Sequence, residues 1–118
     1  MKKILVVDDD SAILEVVKLI LEDNDYEVQT SANGDFLRSI EKNLPDLILL
    51  DVLLSGEDGR VIARKLKKND KTSNIPIIML SAHPNATTSV YEAGADDFVP
   101  KPFEIDTLLS VIARNLAV

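Results

Sequence analysis

Residues 45–59 read PDLILLDVLLSGEDG, and the apolar run Leu47–Leu50 with Asp51 at its end constrains the fold most. Four consecutive apolar residues between a proline and a glycine-rich turn suit a strand buried on both faces. A run this short also fits a buried helical segment, and periodicity alone does not separate the two. If the run is a strand, Asp51 stands at its carboxyl end, the edge where open α/β sheets bind ligands.

The same arrangement recurs along the chain. Ile4–Val7 is an apolar run with β-branched content, followed directly by Asp8, Asp9 and Asp10. Asp10 or Ser11 is placed to cap a helix in which Ile13, Val16, Val17, Ile20 and Leu21 recur at helical spacing. That helix should stop near residues 23–25. A more mixed strand covers Tyr26–Thr30, and Asn33-Gly34 marks a turn. A shorter helix is then expected to carry Phe36, Leu37 and Ile40 inward before Pro45 closes it off.

Gly56 and Gly59 bracket a loop after the central strand. The next helix should bury Ile62 and Leu66 and expose Arg64, Lys65, Lys67 and Lys68, a basic run that reads as a solvated face. Ile77–Leu80 forms a fourth apolar strand with Ser81 at its end. A weak helix with Ala86, Val90 and Ala93 on its apolar side leads to Gly94, a natural C-cap. Asp97–Val99 is a short fifth strand ended by Pro100-Lys101-Pro102, and a last helix carries Ile105, Leu108, Leu109, Ile112, Ala113 and Leu116. Five strand-then-helix units predict an α/β domain over residues 1–118, a doubly wound five-stranded parallel sheet with helices on both faces.

Composition removes several function classes. An apolar share of 46% over 118 residues suits one packed core and argues against disorder. There is no cysteine and a single histidine, His83, which excludes disulfides, thiolate zinc sites and multi-histidine metal sites. A net charge of -7 makes direct nucleic-acid binding by this domain an unfavourable reading. Three aspartates interrupt the first apolar run, so it is not an export segment, and no apolar run approaches membrane-spanning length. A cytoplasmic domain with no membrane contact is expected by default.

In a parallel sheet the carboxyl ends of the strands share one edge. Asp8 and Asp9, Asp51, Ser81 and Lys101 all fall there. Each has an ordinary reading alone: a helix cap (favoured for Asp10), a turn residue, a surface lysine. Together, carboxylates that want a hard cation beside a hydroxyl and an ammonium that want an anion describe phosphoryl chemistry.

Here the sequence resembles the receiver domain of bacterial two-component response regulators. The matching pieces are ILVVDDD at 4–10, PDLILLD at 45–51, GEDG at 56–59, IIMLSA at 77–82 and GADDFVPKPF at 94–103. The resemblance implies a flavodoxin-like sheet of order 2-1-3-4-5. It also implies that Asp51 accepts a phosphoryl group from the phosphohistidine of a histidine kinase or histidine phosphotransfer protein. Asp8, Asp9, Asp51 and the backbone carbonyl of Leu53 would surround Mg²⁺, with Mn²⁺ as a substitute and Asp8 often acting through water. Ser81 and Lys101 would meet the phosphoryl oxygens, Ser81 and Phe98 would act as the switch pair, and Lys101-Pro102 matches a commonly cis bond. The domain would catalyse its own phosphorylation and dephosphorylation and signal to a downstream target or to an effector domain outside this chain. The sparse basic residues of the last two helices imply a monomer when unphosphorylated. Ser55 stands where proline is usual, implying a looser loop. The end at Val118 fits either a single-domain regulator or a piece of a longer one.

Two other readings fit parts of the pattern. One is a non-catalytic interaction module with the same fold. The other is a haloacid-dehalogenase-like phosphatase using Asp8-x-Asp10, although there the lysine precedes the late acidic pair, whereas Asp96-Asp97 precede Lys101 here.

Overall fold

The computed structural model describes residues 1–117, with Pro84 described in its backbone alone. Among the described residues, seven strands and four α-helices follow in the order β1 (Lys3–Val7), α1 (Ser11–Asp23), β2 (Glu27–Ser31), β3 (Leu47–Asp51), β4 (Leu53–Leu54), β5 (Glu57–Asp58), α2 (Gly59–Lys68), β6 (Ile77–Ser81), α3 (Thr87–Glu92), β7 (Asp97–Pro100) and α4 (Ile105–Leu116). Five strands form one parallel sheet in the order β2-β1-β3-β6-β7. This is the expected order 2-1-3-4-5 once the antiparallel ribbon β4–β5 is set apart.

The apolar runs of β1, β3 and β6 are buried on both faces because the sheet lies between two helical layers. Leu5, Val7, Ile48, Leu50, Ile77 and Met79 pack toward Ile62 and Leu66 of α2 and Val90 of α3. Alternate residues, Ile4, Val6, Leu47, Leu49, Ile78 and Leu80, pack toward Val17 and Leu21 of α1 and Leu108 and Ile112 of α4. The period-two alternation of each strand thus feeds two separate cores.

Local chemistry sets the helix starts. Asp10 caps α1, its carboxylate accepting from Ala12 N (3.0 Å) and Ile13 N (3.3 Å). Asp58 caps α2, accepting from Arg60 N at 2.9 Å. Gly94 has φ +99°, the left-handed conformation expected of a C-cap glycine.

Three expectations are corrected. Residues 34–42 form two short 3₁₀ turns, Gly34–Arg38 and Ile40–Lys42, broken at Ser39, and not a continuous helix. The Asn33 side chain takes Asp35 N (2.9 Å) and starts a tight turn, yet Phe36, Leu37 and Ile40 still pack inward. Val16 is 55% exposed, since it lies about 100° round the helix from buried Val17. On α4 the buried stripe is Leu108, Val111 and Ile112, while Ile105 and Ala113 face outward.

Candidate functional site

Strand register brings the polar ends together. Val7 pairs with Leu50, so Asp8 and Asp51 follow at the same level on adjacent strands, at the point where the chain turns to opposite sides of the sheet. Asp51 itself pairs with Leu80, next to Ser81. Ser81 pairs with Pro100, and Lys101 N donates to Ser81 O at 2.8 Å. The Lys101-Pro102 peptide is cis.

The result is a compact charged cluster. Lys101 Nζ lies 2.7 Å from Asp8 Oδ2 and 3.3 Å from Asp51 Oδ2. One oxygen from each of Asp8, Asp9 and Asp51 lies within 4.8 Å of the others. Asp8 and Asp51 are buried, while Asp9 is exposed at the rim. Asp8 Oδ1 accepts from Asp10 N at 3.0 Å, so both Asp8 oxygens are engaged. Burial and then the Asp8 charge raise the Asp51 pKa; Lys101 opposes them, and Asp9 adds to the rise. Burial works against the charged form of Lys101, but the hydrogen bond to Asp8 and the charges of Asp51 and Asp8 outweigh it and raise its pKa. Three carboxylates against one ammonium make an anionic, oxygen-rich cluster. Such a donor set fits a small hard divalent cation such as Mg²⁺.

Ser81 is buried at the edge, its hydroxyl accepting from His83 N at 3.0 Å. His83 itself is exposed. Phe98 is half-buried on β7 and packs against the α2–α3 core. Leu53 opens β4 two residues past Asp51 and is 51% exposed. The acids and the lysine thus lie together, Ser81 ends the neighbouring strand, and Phe98 lies in the adjoining core.

Three neighbours take roles that the sequence reading did not give them. Gly59 sits against the end of β3, where a Cβ would collide with the Asp51 carbonyl oxygen, and its N–H donates to Val52 O at 2.7 Å. Arg60 donates to Asp58 Oδ2 (2.7 Å) and to Ser89 Oγ (3.0 Å), tying the loop after β3 to α3. The Asp58 pKa is held down chiefly by the hydrogen bond from Arg60. Ser55 Oγ donates to Asp9 Oδ2 at 2.7 Å, so the expected looser loop is a ribbon tethered to the acidic cluster. Gly59 and Asp58 lie in the GEDG motif, but the close approach of one and the capping role of the other, like the Arg60–Ser89 and Ser55–Asp9 contacts, show only in the folded chain.

Residues 4–113 match the response regulator receiver domain family. The chain belongs to that family. The DNA-binding dual master transcriptional regulator RpaA of Synechocystis sp. is 35% identical to this receiver domain, over 98% of this chain and 49% of that protein. The chain thus spans about half the length of that curated relative. The chemotaxis protein CheY4 of Vibrio cholerae superposes with a TM-score of 0.91 at 32% identity, covering 98% of this chain and 99% of that one. The receiver domain of sensor histidine kinase PA1611 from Pseudomonas aeruginosa PAO1 gives a TM-score of 0.88 at 29% identity, covering 98% and 97%. That structure holds a magnesium ion coordinated in its active site cleft. No helix among the described residues is long and apolar enough to cross a membrane.

Proposed function

We propose that this receiver domain takes a phosphoryl group onto Asp51 from the phosphohistidine of a histidine kinase or histidine phosphotransfer protein, in the cytoplasm and with Mg²⁺ present. The placement of Asp51 carries this reading: a buried carboxylate at the end of β3, 3.3 Å from the Lys101 ammonium and grouped with two further carboxylates. Asp8, Asp9, Asp51 and the Leu53 carbonyl would hold the ion, with Mn²⁺ as a substitute. Bound there, the ion would offset charge on the phosphoryl oxygens.

The Asp51 carboxylate attacks phosphorus in line. The new O–P bond forms as the P–N bond breaks, and the electron pair leaves on the imidazole nitrogen. Lys101 pairs with the equatorial oxygens of the transferring group. Ser81 turns its hydroxyl toward the attached phosphoryl group, and Phe98 repacks against the core, biasing the face made by α3, β7 and α4. Water later attacks phosphorus and the Asp51 carboxylate is released. A downstream target, or an effector domain outside this chain, reads the changed face. The net charge of -7 disfavours direct contact of this domain with nucleic acid. Asp8 is a poor rival nucleophile, because both of its oxygens are engaged and it is fully buried.

Acetyl phosphate with Mg²⁺ should add one phosphoryl group, seen by intact mass, and none in EDTA. No addition under either condition would fit the non-catalytic module and overturn this function.

The lifetime of the acyl phosphate should depend on Leu53. Leu53 and His83 line the same cavity of about 250 Å³, with Val52, Arg60, Asn85 and Ala86. The Leu53 side chain has no group to orient a water and shields the phosphoryl position. Leu53→Asn should speed phosphoryl loss on the order of ten-fold, about 1.4 kcal/mol in barrier, at equal Mg²⁺ and without kinase. His83→Ala should change the rate less. Phosphate release at the wild-type rate from Leu53→Asn would discount shielding.

A further inference from the structure

We propose that Ser55 is a positioning residue for the metal side of the site, presetting the Asp9 carboxylate through its hydroxyl. The inference rests on the reading of Asp9 as a Mg²⁺ ligand and adds a residue to it.

Asp8 and Asp51 are fixed by burial and by Lys101. Asp9 has neither restraint. It is exposed, and Ser55 Oγ, 46 residues away, donates to its Oδ2 at 2.7 Å. That length belongs to a strong bond onto a charged acceptor. It removes side-chain freedom that an exposed aspartate would otherwise lose on meeting the cation. With Ser55 on Oδ2, Asp9 keeps Oδ1 for a cation.

Ser55 is itself held. Ser55-Gly56 is the two-residue connection between β4 and β5, closed by the Leu54–Glu57 pair, with Gly56 at φ +73°. The Glu57 carboxylate accepts from Gly34 N at 3.3 Å, which anchors the ribbon to the segment after β2. Gly59 N on Val52 O (2.7 Å) pins its other end beside Asp51. The hydroxyl is thus presented by a restrained turn. A turn with positive φ at its second central residue favours proline at the first. Serine gives up that preorganisation and supplies a donor. The opposite effect is also physical: a hydrogen bond withdraws charge from a ligand and weakens it. Here orientation should win, because Asp9 is the one acid of the three without burial to hold it.

The test is calorimetric titration of Mg²⁺ alone into wild type, Ser55→Ala, Ser55→Thr, Ser55→Pro and Asp9→Ala, with melts of each in EDTA. Ser55→Ala should bind on the order of ten-fold more weakly, the low end of the loss when an outer partner of a ligand is removed. Ser55→Thr should restore affinity. Ser55→Pro, suited to the turn but lacking the hydroxyl, should behave like Ser55→Ala. The EDTA melting point of Ser55→Ala should stay within about 4 °C of the wild-type value, the share of one exposed hydrogen bond, so that lost affinity with the fold intact separates positioning from unfolding. Equal or tighter binding by Ser55→Ala, or restoration by proline, would overturn the inference while leaving the metal reading intact if Asp9→Ala loses binding. Unchanged binding by Asp9→Ala would overturn both.

Discussion

Replacing Lys101 with methionine should destabilise the metal-free protein by about 3–5 kcal/mol, the usual cost of breaking a buried ion pair from one side. Lys101 donates to Asp8, which is 0% exposed, and lies 3.3 Å from Asp51, which is 7% exposed. Methionine keeps much of the stem volume and removes the charge, so the loss is electrostatic more than packing. The two carboxylates would then face each other with no cation. Urea titration in EDTA reads the loss as a lower midpoint. Asp51→Asn in the Lys101→Met background should recover part of it, since one of the stranded charges is gone. Saturating Mg²⁺ should recover more, by binding the folded form. A Lys101→Met midpoint within error of wild type in EDTA would mean that the short Lys101–Asp8 contact does not hold the site together.

The second large effect is a stability order that reverses with the cation. The Asp51 pKa is raised in the folded state by burial and by Asp8 and Asp9, beyond what Lys101 offsets. The sign follows from linkage. A carboxyl with a raised folded pKa favours the fold fully below its unfolded value of about 3.9 and loses that contribution as pH rises through the folded value. Ionising the Asp51 side chain therefore works against the metal-free fold. Asp51→Asn should melt above wild type in EDTA at pH 7, by about 4 °C for each kcal/mol of relief in a domain of this size. The gap should shrink as pH falls and close below pH of about 3.9, where both forms are neutral. Adding Mg²⁺ at pH 7 should raise wild type more than Asp51→Asn and narrow or invert the order. A lower melting point for Asp51→Asn in EDTA at pH 7 would show that the Lys101–Asp51 attraction outweighs the burial and repulsion.

Elsewhere an acid works in the opposite sense. Arg114 and Asn115 of α4, with Phe98 N, hold the Asp97 pKa down despite its burial. Its stabilising contribution is present above the unfolded pKa and is lost as pH falls through the folded one. Arg114 is thus engaged within its own chain.

The central cluster was legible because each member ends an apolar run, and a parallel sheet sends all such ends to one edge. Asp8, Asp51, Ser81 and Lys101 needed only strand assignment to be brought together. The ribbon β4–β5 was not legible, since two-residue strands have no period to detect. With it went the Ser55–Asp9 bond, which joins residues distant in sequence through a loop. Residues 34–42 carry the right inward residues for a helix, but Ser39 and the Asn33 side chain favour tighter local turns. Val16 and Ile105 fit a helical stripe by spacing, yet the width of the covered face is set by the neighbouring elements, which spacing does not encode.

Mapping the phosphorylated carboxylate tests the central claim most directly. The protein is labelled with acetyl phosphate and Mg²⁺, the acyl phosphate is reduced with borohydride, and the modified residue is located by peptide mass. The expected result is modification at Asp51, with no incorporation at that peptide in Asp51→Asn. Modification at Asp8, undiminished in Asp51→Asn, would contradict it.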